Sequence, residues 1–121
     1  MHRKAGRIKM ILVLGGMASG KRTYVQSLGY VCAEMNKLIE SDAPVLLGLE
    51  ELLKQGPLTE SGVAALTRKE VVVCCEVGMG VVPVDAAERA WRELVGRTCC
   101  TLAAQATQVV RMVCGIPVKL K

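Results

Sequence analysis

The stretch Lys9-Met10-Ile11-Leu12-Val13-Leu14-Gly15-Gly16-Met17-Ala18-Ser19-Gly20-Lys21 carries most of the structural information in this chain. Residues 9–14 form an apolar run without polar alternation, the pattern of a strand buried on both faces. The run ends in two glycines, and from Gly15 to Lys21 the chain fills the first seven positions of G-x-x-x-x-G-K-[ST] between a strand and a helix. Glycines let the main chain curl until several N–H groups face one anion. A helix start adds its dipole, about 0.3–1 kcal/mol per exposed anion, and Lys21 adds a point charge. The spacing predicts a nucleotide cradle made of Gly15, Gly16, Met17, Ala18, Ser19, Gly20, Lys21, Arg22 and Thr23. A ligand-free strand-to-helix turn is the alternative. The eighth position holds Arg22 in place of the usual Ser or Thr, and a guanidinium cannot ligate Mg2+. Thr23 stands about 100° further round the helix and does not drop into that place without a shift in the loop.

Working outward, apolar residues at Tyr24, Val25, Leu28, Val31, Cys32, Met35, Leu38 and Ile39 predict one helix over 21–39, with Gly29 as its weak point. Ser41-Asp42-Ala43-Pro44 breaks it. A strand is expected over 45–49, short helices over 50–55 and 59–68 (capped by Thr59 or Ser61), and a strand over 70–75. Asp85, with Glu88 three residues on, starts a long helix that Gly96 is expected to bend. Strands over 109–114 and 118–120 finish the chain. Alternation of strands and helices implies a mainly parallel α/β sheet, with ligands beyond the carboxyl ends of the strands. Two glycine turns, after residues 14 and 75, fall at such ends.

With 121 residues the chain is expected to form a single nucleotide-binding domain over 1–121, with 1–7 as a basic tail. It is 51% hydrophobic and 22% charged with a net charge of +5, a balance that suits a folded protein with an anionic ligand. Tyr24, Tyr30 and Trp91 are its only aromatic residues, too few stacking platforms for a nucleic-acid binder. No apolar stretch approaches a membrane span, and the run before Gly15 is too short for an export signal. A cytoplasmic setting with reduced thiols is therefore expected. All six cysteines are expected in or near the core, because Cys74-Cys75 and Cys99-Cys100 lack metal-ligand spacing. No metal ligand set is predicted.

Glu76 follows the strand at the ligand end and could orient a metal, a water or an acceptor hydroxyl; a solvated turn carboxylate is the plainer reading. Phosphate-loop enzymes often hold magnesium on an aspartate at the end of a strand such as the one expected over 45–49, and in this chain Gly48 stands there. Glu50 or Glu51 could replace it, though both also read as a solvated helix start. Asp42 lies at the wrong end. His2, the only histidine, lies in the tail, which leaves no histidine nucleophile in a structured site. Trp91 reads as packing.

Two segments together resemble the adenosylcobinamide kinase / adenosylcobinamide-phosphate guanylyltransferase family. Ile11 to Lys21 is similar to its opening loop, G-G-x-x-S-G-K-S. Glu76-Val77-Gly78-Met79-Gly80-Val81-Val82-Pro83 resembles its E-V-G-x-G-I/V-V-P, Arg89, Arg92, Gly96, Arg97, Leu102, Ala103 and Ala104 match the following helix, and Gly115-Ile116-Pro117-Val118-Lys119-Leu120-Lys121 its terminal hairpin. The resemblance implies a P-loop NTPase-type three-layer fold with a C-terminal β-hairpin. It also implies ATP or GTP as ligand, a cobinamide-type small molecule as acceptor, and a homo-oligomer, a trimer in the family. Lys21 and Glu76 are its implied catalytic residues. The chain departs from the family in its middle, where nothing between Tyr30 and Arg68 matches the segment bearing the guanylylated histidine. The resemblance therefore leaves two readings open. One is a kinase-type phosphotransferase without guanylyltransferase activity, and the other a nucleotide-binding or regulatory module without either activity.

Overall fold

A computed structural model of the chain describes residues 9–77 and 85–121. The apolar run forms strand β1, Ile11–Gly15, at the centre of a six-stranded sheet. It pairs in parallel with β4, Val71–Cys75, on one side and with β5, Gln108–Val113, on the other. Two short strands, β2 (Met35–Asn36) and β3 (Val45–Leu46), extend the sheet beyond β4, also in parallel. Strand β6, Ile116–Lys119, closes the far edge antiparallel to β5, so the order is β2-β3-β4-β1-β5-β6. The mainly parallel α/β sheet and the terminal hairpin are as expected.

The absence of alternation in β1 and β4 has its physical reason in two cores. Leu12, Val72, Cys74 and Val109 face one side of the sheet. There they pack on residues of α2 (Leu49–Leu52), α3 (Glu60–Thr67) and α4 (Ala86–Gln105). Val13, Val71, Val73, Val110 and Met112 face the other side and pack on Val25 of α1, Lys21–Ser27. Each large apolar side chain so buried contributes about 1.5–3 kcal/mol. Helices on both faces make the three layers. Thr59 caps α3 by accepting the Gly62 amide at 3.1 Å, and Asp85 caps α4 by accepting that of Ala87 at 2.7 Å. Among the described residues no helix is long and apolar enough to cross a membrane.

Four expectations need correction. The helix over 21–39 ends at Ser27, because Gly29 adopts φ 106° and turns the chain out of the helix. Leu28, Val31 and Leu38 of the proposed stripe are exposed, while Met35 is buried as part of β2. The strand over 45–49 stops at Leu46; Gly48, at φ 71°, turns the chain into α2. The hairpin is tighter than expected, with Cys114 and Gly115 at φ 50° and 77°, so β6 begins at Ile116. The fourth concerns the thiols: Cys32, Cys100 and Cys114 are exposed. Helix α4 passes through Gly96 without interruption.

Below the amino ends of the strands, buried Lys69 donates to the carbonyls of Ser41 and Ala43 and holds the connection into β3. Burial outweighs the nearby Asp42 charge and lowers its pKa. Lys69→Ala should destabilise the fold by about 2 kcal/mol, measured by urea denaturation, since two carbonyls lose a charged donor. The Cys74 thiol is pushed up by its hydrogen bond with the Cys99 sulfur and then by burial. In the native protein iodoacetamide should modify Cys32, Cys100 and Cys114 readily, and Cys74 only after unfolding, read by mass spectrometry of the labelled peptides.

Candidate functional site

At the carboxyl ends of β1 and β4 the Glu76 amide donates to the Gly15 carbonyl at 2.8 Å, joining the two strand ends. The chain then curls away from the sheet. Ala18 takes φ 56° and Gly20 φ 92°, and the Ser19 amide returns to the Gly16 carbonyl at 3.3 Å. The amides of Met17, Ala18, Gly20 and Lys21 donate to no main-chain carbonyl among the described residues. Lys21 reaches back over the loop, its Nζ 2.6 Å from the Gly16 carbonyl. The β5–β6 turn supports the loop from behind: the Gly115 amide donates to the Ser19 carbonyl at 3.0 Å. A methyl group on Gly20 would lie 3.2 Å from the Gly115 Cα.

Met17, Ala18, Ser19, Gly20, Lys21, Arg22 and Thr23 line one cavity of about 510 Å3, so seven of the nine predicted cradle residues come together. Gly15 and Gly16 are not among its lining residues. The opposite wall is built from Lys37, Leu47, Gly48, Glu50, Val73 and Cys75. Glu50 Oε1 accepts the Cys75 amide at 2.9 Å, and Trp91 Nε1 donates to the Glu50 carbonyl at 2.8 Å, which makes Trp91 a structural anchor. On the loop side, the hydroxyl of Ser19, a residue only 9% exposed, lies next to Gly15 and has no hydrogen-bond partner among the described residues.

Glu76 lies beside this cavity but not on its lining. Arg111 of β5 grips its carboxylate in a forked pair, Nε to Oε1 at 2.8 Å and Nη2 to Oε2 at 3.1 Å. That hydrogen bond, with the carboxylate charge, raises the Arg111 pKa further. Residues 78–84, which carry the rest of the motif that opens at Glu76, lie outside the described residues, as do 1–8 with His2. Lys37 went unnoticed in the sequence because it fell inside the expected helix over 21–39. Glu50 was visible as a substitute acid; the β4 amide that draws it onto the cavity wall was not. A larger cavity of about 920 Å3 lies at the opposite end of the sheet, lined by Asp42, Arg68 and Lys69 among others. The Lys69 ammonium there already holds the Ser41 and Ala43 carbonyls.

The donor set does not suit a magnesium ion in the usual place beside such a loop. Arg22 occupies the hydroxyl position and Gly48 the acidic one, with the Lys37 stem packed over it. Three cations face a single carboxylate, and among the described residues no three His, Cys, Asp or Glu side chains converge. Among the described residues the lining carries surplus positive charge.

A mainly parallel α/β sheet with a glycine-rich loop leaving its central strand defines a P-loop protein. The chain belongs to the family described as Cobinamide kinase / cobinamide phosphate guanyltransferase, whose model matches residues 51–120. That match takes in β4, Glu76, α4 and the hairpin, and the glycine loop lies before it. The bifunctional adenosylcobalamin biosynthesis protein CobU of Escherichia coli (strain K12) is 45% identical over 65 residues, 51% of this chain and 36% of that protein. The protein of the same name from Salmonella typhimurium is 47% identical over 53 residues, 44% of this chain and 29% of its own length. The matched part thus spans about a third of the relatives.

Gly15 and Gly16 differ sharply in what surrounds them. A methyl group on Gly15 would collide with Ser19 Oγ and lie 3.0 Å from the Met112 carbonyl, whereas Gly16 has open space. Gly15→Ala should therefore cost about 1–3 kcal/mol and Gly16→Ala little, compared by thermal unfolding.

Proposed function

We propose that the loop cavity binds the polyphosphate of ATP or GTP, and that the chain is a nucleotide-binding member of its family. The reading rests on one observation: loop residues whose amides are uncommitted among the described residues line one cavity with Lys21, Arg22 and the hydroxyl-bearing Thr23. Amides, hydroxyl and ammonium are the donor types a triphosphate needs. Gly20, Arg22 and Thr23 complete the cradle, and Lys21 neutralises the outer phosphates. The family description points to a cobinamide-type acceptor, with the γ-phosphoryl group as what is transferred. Transfer of that kind depends on positioning and charge neutralisation. In this reading Glu76 is the acceptor-orienting group, and Arg111 sets its direction. Guanylyl transfer through a histidine is not part of the proposal, since His2 is the only one in the sequence.

A second reading, a module that holds nucleotide without turning it over, draws on the same pair. Both Glu76 oxygens are engaged by Arg111, so the carboxylate already has a partner before any acceptor hydroxyl reaches it. Calorimetric titration with ATP and GTP, followed by an assay for labelled phosphate on cobinamide, separates the two. Binding with transfer that Lys21→Ala abolishes establishes the phosphotransferase; binding without transfer leaves the module. Lys21→Ala should weaken triphosphate binding by about tenfold or more in either case, and unchanged affinity would refute the site.

A further inference from the structure

The cavity opposite the loop carries a charge that phosphate binding by the loop alone does not use. Lys37 lies in the connection between β2 and β3, immediately after the strand. The Asn36 side chain holds that connection in shape: its Oδ1 accepts the Leu38 amide at 3.0 Å and its Nδ2 donates to Ser41 Oγ at 2.6 Å. The Leu47 amide returns to the Asn36 carbonyl at 2.8 Å, bringing the ends of both strands together at the cavity wall. The Lys37 stem lies over Gly48, where a methyl group would stand 3.6 Å from its Cε and 3.7 Å from its Cδ. Among the described residues the ammonium pairs with no carboxylate. It lines the same cavity as Lys21 and Arg22.

Two usual supports of a metal ion have been exchanged here for cations or for space that a cation fills. Arg22 stands where a hydroxyl would ligate, and beyond the end of β3 the chain offers Leu47 and Gly48, the latter under Lys37, in place of an acid. From this pair of replacements we infer that Lys37, with Arg22, takes the place of the divalent cation, so that this chain binds a nucleoside triphosphate without magnesium. The inference rests on the nucleotide reading above and adds its metal independence. An ammonium and a guanidinium carry together the charge of one Mg2+, and both donate hydrogen bonds to phosphate oxygens. The backbone favours glycine at position 48, with φ 71° in the left-handed region that Asp also enters, and a side chain there would touch the Lys37 stem at ordinary contact distance.

The test is calorimetry of ATP and GTP binding to the full chain, in EDTA and in magnesium. The wild-type protein should bind with dissociation constants that agree within about threefold between the two buffers. Lys37→Gln should weaken binding in EDTA by about tenfold, with an unchanged melting temperature since the side chain is exposed. Gly48→Asp is the second variant: a carboxylate beside the Lys37 stem should weaken binding in EDTA to a similar degree and make it magnesium-dependent. Wild-type binding that tightens tenfold or more with magnesium overturns the inference, as does Lys37→Gln with wild-type affinity in EDTA. Either result leaves triphosphate binding standing. No heat with either nucleotide in either buffer removes the nucleotide reading, and this inference with it.

Discussion

The hydrogen bond from the Glu76 amide to the Gly15 carbonyl ties the ends of β1 and β4 at the point where both leave the sheet. Everything on the ligand side follows from that junction. It keeps the two strands in register to their last residues, Gly15 opposite Cys75, so the glycine loop and the β4 end emerge side by side. It leaves the Cys75 amide directed at Glu50, which anchors the start of α2 against the cavity. On the other flank β5 runs in register to Met112 and delivers the hairpin turn to the back of the loop. A curled segment rich in glycine has high conformational entropy when free. Here it is held on both sides by hydrogen bonds from the sheet and the hairpin.

Charge is partitioned as sharply as packing. Lys21, Arg22 and Lys37 face the cavity against Glu50 alone, while Glu76, the other acid of this region, is matched by Arg111 a few ångströms away on β5. The forked pair is partly exposed, so its worth to stability is small. Its effect is on direction: it fixes where the carboxylate points and removes it as a free counter-charge to the loop. Among the described residues the cavity thus carries surplus positive charge beside loop amides that stay uncommitted.

Much of this was readable from local patterns. The apolar run before Gly15 and the three valines of β4 could only be strands covered on both faces, and the glycine-lysine spacing announced the loop. The helix after it was legible at its start and misread at its end. Its apolar positions keep helical spacing to Ile39, and nothing in that spacing reveals that Gly29 takes φ 106°. Period alone cannot say whether a stripe finds a surface to cover it: Leu28, Val31 and Leu38 do not, and Met35 is covered as part of a strand. The same misreading hid Lys37, since a residue assigned to a helix face is not sought beside a phosphate loop.

By itself the sequence determined the central strands, the loop, the caps at Thr59 and Asp85 and the closing hairpin, because each rests on contacts between near neighbours or on a residue type that one conformation requires. Only the tertiary structure decided what faces the loop. Lys37, Gly48, Glu50 and Cys75 come from three separate segments brought to one wall by parallel strand pairing, and Arg111 reaches Glu76 from 35 residues away. Such meetings depend on sheet order and register, which are set by burial summed over the whole domain and leave no local pattern to read.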